Sequence, residues 1–249
     1  METNQFDLFK EMHRLINAAE AKNIQIRAFG GLAVQVHNKT NHPLFLRQFA
    51  DLDFIVASKQ RREFEAFMPE VGYSPDKEFN LLFGNHRQIY YAAETKVDIF
   101  VGKFEMCHRI PLENRLTLHP VTIPLAELLL SKAQILELNR KDALDIISIL
   151  LNNDTGDDDN GKINLRIINQ LFSQDWGLYK TTTINLQRVE DLVGKEDLTL
   201  TQDERELVLT RIHQIKDGFD KIQKPLAWQL RDRVGTRVKW YMDVEEVEQ

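Results

Sequence analysis

The sequence predicts an α+β protein in which a small mixed sheet flanked by helices is followed by a mostly helical C-terminal half. Three observations support this. Short runs rich in β-branched and aromatic residues, at 24–29, 51–56, 87–92 and 97–101, alternate with segments of helical period in the first half of the chain. From Pro124 onward Leu125, Leu128, Leu129, Ala133, Leu136 and Leu138 recur at helical spacing, with no β-branched cluster until Ile146. The strand-like runs also carry acids, Asp51 and Asp53 in one and Asp98 in another. We therefore divide the chain into a mixed domain, 1–120, and a helical domain, 121–249, that completes a cleft.

Taken in order, 6–21 places Phe6, Phe9, Met12, Leu15, Ile16 and Ala19 close to a helical repeat, with Asn23 as a stop. The run 24–29 is a strand, Gly30 and Gly31 form a turn, and Leu32 to Val36 open a helix. Residues 38–43 are a polar loop leading to Arg47 and then to the Asp51 strand. Ser58 is the expected N-cap of a helix with Phe64, Phe67, Met68 and Val71 on its apolar face and Gly72 near its end. The segments 79–83, 87–92 and 97–101 then read as a β-meander.

In the second half, Lys132 lies in an apolar helix, and Asp142 and Asp145 stand one helical turn apart. Residues 152–161 form an acidic, glycine-containing break. It lacks the ligand frame of an EF-hand and is read as a solvated linker. Ile163, Ile167, Ile168, Leu171 and Phe172 mark a further helix, and Thr201 with Glu204 is a capping box that opens another. The final stretch interleaves Trp228, Arg231, Arg233, Arg237, Lys239, Trp240 and Tyr241, which suits either a docking helix or a nucleic-acid surface. The tryptophans favour docking.

Composition bounds the function. The 249 residues are 43% hydrophobic and 28% charged, enough to build a core, and the net charge of −6 gives no global attraction to nucleic acid. No run approaches the ~18 apolar residues of a spanning helix, and the N-terminus lacks the regions of a signal peptide. Cys107 is the single cysteine, which leaves no internal disulfide and fits a reducing, cytoplasmic setting.

The acids carry the chemistry. Asp51 and Asp53 are two residues apart on a strand, so their side chains leave the same face and repel unless a cation lies between them. Mg²⁺ suits that position, because it takes carboxylate oxygens together with substrate phosphate oxygens. The glycine pair lets backbone N–H groups approach a phosphate. Arg47 is either a phosphate-facing charge or a surface arginine. Lys132 either snorkels to water or points into the cleft.

The Gly30-Gly31 turn, the Asp51-Leu52-Asp53 pair and Asp98, over roughly 24–101, resemble the nucleotidyltransferase superfamily that includes DNA polymerase beta. Further on, Lys132 and the run Arg140-Lys141-Asp142 resemble the abortive-infection toxin branch, and antibiotic nucleotidyltransferases share the first part. Two positions depart from the pattern. Gly31 stands where many members have serine, and Ala50 stands where a small hydroxyl residue often precedes the first acid.

This resemblance implies transfer of a nucleoside monophosphate from a nucleoside triphosphate to an acceptor, with two Mg²⁺ ions. Asp51, Asp53 and Asp98 would be catalytic metal ligands, and Gly30, Gly31, Arg47 and Lys132 would bind the triphosphate. Asp142 would position Lys132, the acceptor or a metal. The acceptor would be an RNA end, a protein or a small hydroxyl compound, and an antitoxin is an expected partner in the toxin branch. An antibiotic-modifying enzyme and an inactive binding module of the same fold are the alternatives.

Overall fold

The computed structural model describes residues 7–93, 95–195 and 198–243. The described chain forms two compact units. The first combines the residues up to Val36 with Arg47–Phe104 and Pro111–Ile123, and the second combines His37–Leu46 and Glu105–Ile110 with the residues from Pro124.

In the first unit α1 (Leu8–Glu20) starts at Asp7, whose carboxylate accepts from Lys10 N at 3.2 Å, and it buries Met12, Leu15, Ile16 and Ala19. β1 (Ile26–Phe29) runs into α2 (Gly30–Val36), and β2 (Asp51–Val56) follows. Next come α3 (Arg61–Glu70), β3 (Ser74–Pro75), α4 (Lys77–Phe83), β4 (Arg87–Ala92) and β5 (Thr95–Val101). The short strands β6 (Lys103–Glu105) and β7 (Arg109–Pro111) complete the strands of this half of the chain.

The main sheet has the order β1-β2-β5-β4-β3. β2 and β5 are parallel, while β1 with β2, β4 with β5 and β3 with β4 are antiparallel. Strand alternation gives the sheet two unlike faces. One presents Leu52, Phe54, Val97, Ile99 and Tyr90, all buried, and Tyr90 meets the edge of Phe64 on α3 at 6.0 Å. The other presents Asp51, Asp53, Asp98 and Arg87.

Two elements differ from the sequence reading. Residues 79–83 belong to α4 and not to a strand. The Asp76 carboxylate accepts from Phe79 N at 3.0 Å and caps the helix, which leaves Leu81 85% and Leu82 68% exposed. An unburied apolar run has no sheet to join. Ser58 does not cap α3. Its N–H and hydroxyl both donate to Glu113, it opens a 3-10 turn (Ser58–Gln60), and α3 begins after that turn without a side-chain cap.

The second unit is helical. It contains α5 (Leu125–Ala133), α6 (Arg140–Asn152), α7 (Leu165–Gln174), α8 (Trp176–Val193), α9 (Gln202–Asp220) and α10 (Leu226–Val234). The ends are fixed by Asn139, Asn164 and Asp175 as N-caps and by the reciprocal Thr201 and Glu204 box. The acidic break is more ordered than a solvated linker. β8 (Thr155–Gly156) pairs in parallel with β9 (Ile163–Asn164), and Arg211 donates to the carbonyls of Leu150 and Leu151 and to Asp154.

Trp228 decides between the two readings of the C-terminal stretch. It is buried, donates Nε1–H to the carbonyl of Phe172 at 2.9 Å, and lies against Tyr179 and Phe219 with ring centroids at 5.2 and 5.6 Å. Its ring is part of the helical core and cannot stack on a base. Trp228→Ala is expected to cost about 3–5 kcal/mol, the usual range for emptying an aromatic site, read as a lower urea midpoint.

Candidate active site

The sheet brings the first-half acids together by register. Asp53 on β2 is opposite Asp98 on β5, and Asp51, two residues earlier on the same face, is opposite Lys96. Phe29 is opposite Asp53 on the other side, so the chain enters the glycine turn directly beside this carboxylate.

The glycine pair is explained by what it leaves room for. Gly30 has φ of +69°, and a Cβ there would overlap Asp53 Oδ2. A Cβ on Gly31 would lie 2.7 Å from Arg47 Nη2 and 2.9 Å from the Phe49 ring. Arg47 itself stacks on Phe49, 4.9 Å from the ring centroid. The turn therefore lets a carboxylate and a guanidinium pack onto bare backbone.

Asp98 is 4% exposed and takes Arg87 as a fork: Nε donates to Oδ1 at 2.8 Å and Nη2 donates to Oδ2. The guanidinium lies 5.0 Å from the Phe100 ring and 5.8 Å from that of Phe79. Burial disfavours its charge, but the hydrogen bonds and charge of Asp98, together with the charge of Asp53, outweigh burial and hold its pKa above the ordinary value. The sequence reading did not single out Arg87. Its signal was the tight β4-β5 hairpin, which puts Arg87 opposite Phe100 and diagonal to Asp98 on one face.

Among the described residues, no three His, Cys, Asp or Glu side chains converge as a metal cluster. The oxygens of Asp98 are turned to Arg87. The donor set at Asp51 and Asp53 nonetheless fits a hard divalent ion, since Mg²⁺ is commonly held by one or two carboxylates plus waters and substrate phosphates.

Lys132 and Asp142 belong to the helical unit. Lys132 Nζ donates to Asp142 Oδ1 at 2.9 Å and lies 3.0 Å from Asp145 Oδ2, with side-chain exposures of only 14%, 18% and 8% for the three residues. Asp142 also accepts from Asn139 Nδ2 at 2.9 Å. Burial works against the lysine charge, but Asp145 and Asp142 more than compensate and hold its pKa above the ordinary 10.5. This lysine is clamped rather than snorkelling.

A small mixed sheet with acids on adjacent parallel strands, beside a strand-to-helix glycine turn, resembles the nucleotidyltransferase pattern expected from the sequence. Family comparison agrees over nearly the whole length: residues 2–248 match the model of the uncharacterised nucleotidyltransferase family, and the chain belongs to that family. No curated protein matches it by sequence. Solved structures with some likeness include the solution structure of the antibiotic-resistance factor ANT(2'')-Ia, at 12% identity over 77% of this chain and 96% of that one, with a TM-score of 0.42. The crystal structure of ANT(2'')-Ia in complex with adenylyl-2''-tobramycin gives 11% identity over 72% and 97%, with a TM-score of 0.41.

Lys132→Met should leave buried Asp145 and partly exposed Asp142 without their shared cation and cost about 3 kcal/mol at neutral pH, the low end for a broken buried pair, measured by urea unfolding. The lysine's raised pKa gives a stabilisation present below its unfolded value, about 10.4, and lost as pH rises through the higher folded value. The gap between parent and variant should therefore hold through neutral pH and close in strong alkali.

Proposed function

We propose that this protein is a divalent-metal-dependent nucleotidyltransferase in which Asp51 and Asp53 hold Mg²⁺ and a nucleoside triphosphate is the donor. The carrying observation is the common face of Asp51, Asp53 and Asp98, with Asp53 seated on Gly30. Mg²⁺, when bound, would neutralise phosphate charge and favour ionisation of the acceptor hydroxyl.

The residues of the sheet unit have distinct roles in this reading. The acceptor oxygen attacks the α-phosphorus, the bond to the bridging oxygen of pyrophosphate breaks, and the hydroxyl proton passes to a base. Asp98, opposite Asp53 in register, is our candidate for orienting the acceptor and taking that proton once the Arg87 fork releases its oxygens. Arg47, stacked on Phe49 beside Gly31, offers a fixed guanidinium to phosphate oxygens. Backbone N–H groups of the Gly30 and Gly31 turn add neutral donors.

In the helical unit, Asp142 and Asp145 keep Lys132 charged and fixed, and the lysine would serve a phosphate only by exchanging one of these carboxylates for it. Lys132 with Asp142 supports placing the chain with toxin-type members, in which an RNA end is the acceptor we favour and an antitoxin the partner. An aminoglycoside or a protein side chain is the competing acceptor.

The test is incubation of the full chain with Mg²⁺, each labelled nucleoside triphosphate and a cell extract, followed by separation into RNA, protein and small-molecule fractions. Label is expected in the RNA fraction with one preferred nucleotide. Asp53→Asn should lower transfer by at least ~10²-fold, the scale of one lost preorganised electrostatic contact, while leaving the fold intact. Transfer by Asp53→Asn at the parent rate would reject the site. Label confined to a small-molecule fraction would reject the RNA acceptor.

A further inference from the structure

Resting on the metal-dependent reading above, we infer that Arg87 is an internal counter-cation that competes with a divalent ion for Asp98. The resting protein then has one ion position, at Asp51 and Asp53. A second position, using Asp98, opens only when the guanidinium leaves.

Three observations support this. Both oxygens of Asp98 receive hydrogen bonds from the Arg87 fork, so an ion at this carboxylate would have to share oxygens with a guanidinium in direct contact. Like charges at that range repel strongly when solvent is largely excluded, and Asp98 is almost fully buried. The charge of Asp53 also acts on Arg87, so the guanidinium partly neutralises the opposed acid as well.

Arg87 also has a foothold independent of the carboxylate. The Phe79 and Phe100 rings face its guanidinium and would keep favouring the cation if Asp98 were taken from it. A triphosphate offers the fork another anionic partner of matching geometry. Nucleotide binding and the second ion position are thereby linked: an anion that draws Arg87 away exposes Asp98.

Mn²⁺ titration of the full chain, followed by calorimetry and by the paramagnetic signal of unbound ion, tests this without any turnover. The parent is expected to bind one Mn²⁺ per chain without nucleotide, and Arg87→Met to bind two, with affinity for the second raised at least ~10-fold, equivalent to ~1.4 kcal/mol. The metal-free variant should melt lower than the parent and gain more from added Mn²⁺. Lys96→Met removes another positive charge from the same face, and its stoichiometry should stay at one.

Unchanged stoichiometry and affinity in folded Arg87→Met, or two ions on the parent without nucleotide, would overturn the inference. If Arg87→Met does not fold, Arg87→Lys serves, because an ammonium cannot fork to both oxygens. It should show the same change at smaller size, and parent-like Mn²⁺ binding would contradict the inference. Failure of every chain to bind Mn²⁺, with and without a triphosphate, would instead remove the metal-dependent reading. Ordinary binding by the parent and an unaltered Arg87 variant would remove only the role of Arg87.

Discussion

Repulsion among carboxylates gathered on one sheet face is the constraint around which the first unit is built. Parallel pairing of β2 with β5 puts Asp53 opposite Asp98, and strand alternation adds Asp51 to the same side. Such a face is unfavourable unless positive charge is supplied, and the fold supplies it from β4 through Arg87. The aromatic rings around that guanidinium and the glycine beside Asp53 follow from the same need. One group needs a charged partner in a fixed place, and the other needs the absence of a side chain.

The helical unit meets a related problem in a similar way. Asp142 and Asp145 project from one side of α6, and the buried ammonium of Lys132 from α5 reaches both. Asn139 both caps α6 and donates to Asp142, so the clamp is tied to the start of the helix. In each unit a partly buried cation holds acids in a geometry they would not keep alone. Removing the cation should therefore be more damaging than removing an acid, because it leaves a buried acid, Asp98 or Asp145, near a like charge with no cation between them.

Much of this was legible in the sequence, for identifiable reasons. The two-residue spacing of Asp51 and Asp53 places them on one face in any strand, and Thr201 with Glu204 is a local capping signal that the structure reproduces. Arg87 was not singled out although its strand precedes that of Asp98 in the predicted meander, because which of its residues lies diagonal to Asp98 depends on the exact register of the hairpin. Residues 79–83 were misread because five apolar-rich residues carry no decisive period, and the capping carboxylate of Asp76 lies before them. Ser58 looked like a cap by type, yet Glu113, 55 residues away, takes its hydrogen bonds. The acidic break at 152–161 looked solvated because several of its partners, among them Thr40 for Asn152 and Arg211 for Asp154, are far from it in the chain.

The central claim is that Asp51 and Asp53 hold the divalent ion that serves a bound triphosphate. The most direct measurement is anomalous diffraction from crystals of the full chain grown with Mn²⁺ and a non-hydrolysable nucleoside triphosphate. The account predicts an anomalous peak in contact with carboxylate oxygens of both Asp51 and Asp53 and with phosphate oxygens of the nucleotide. A nucleotide bound with its Mn²⁺ peak elsewhere, for example on the acidic residues at 157–159, and none at Asp51 and Asp53, would contradict it.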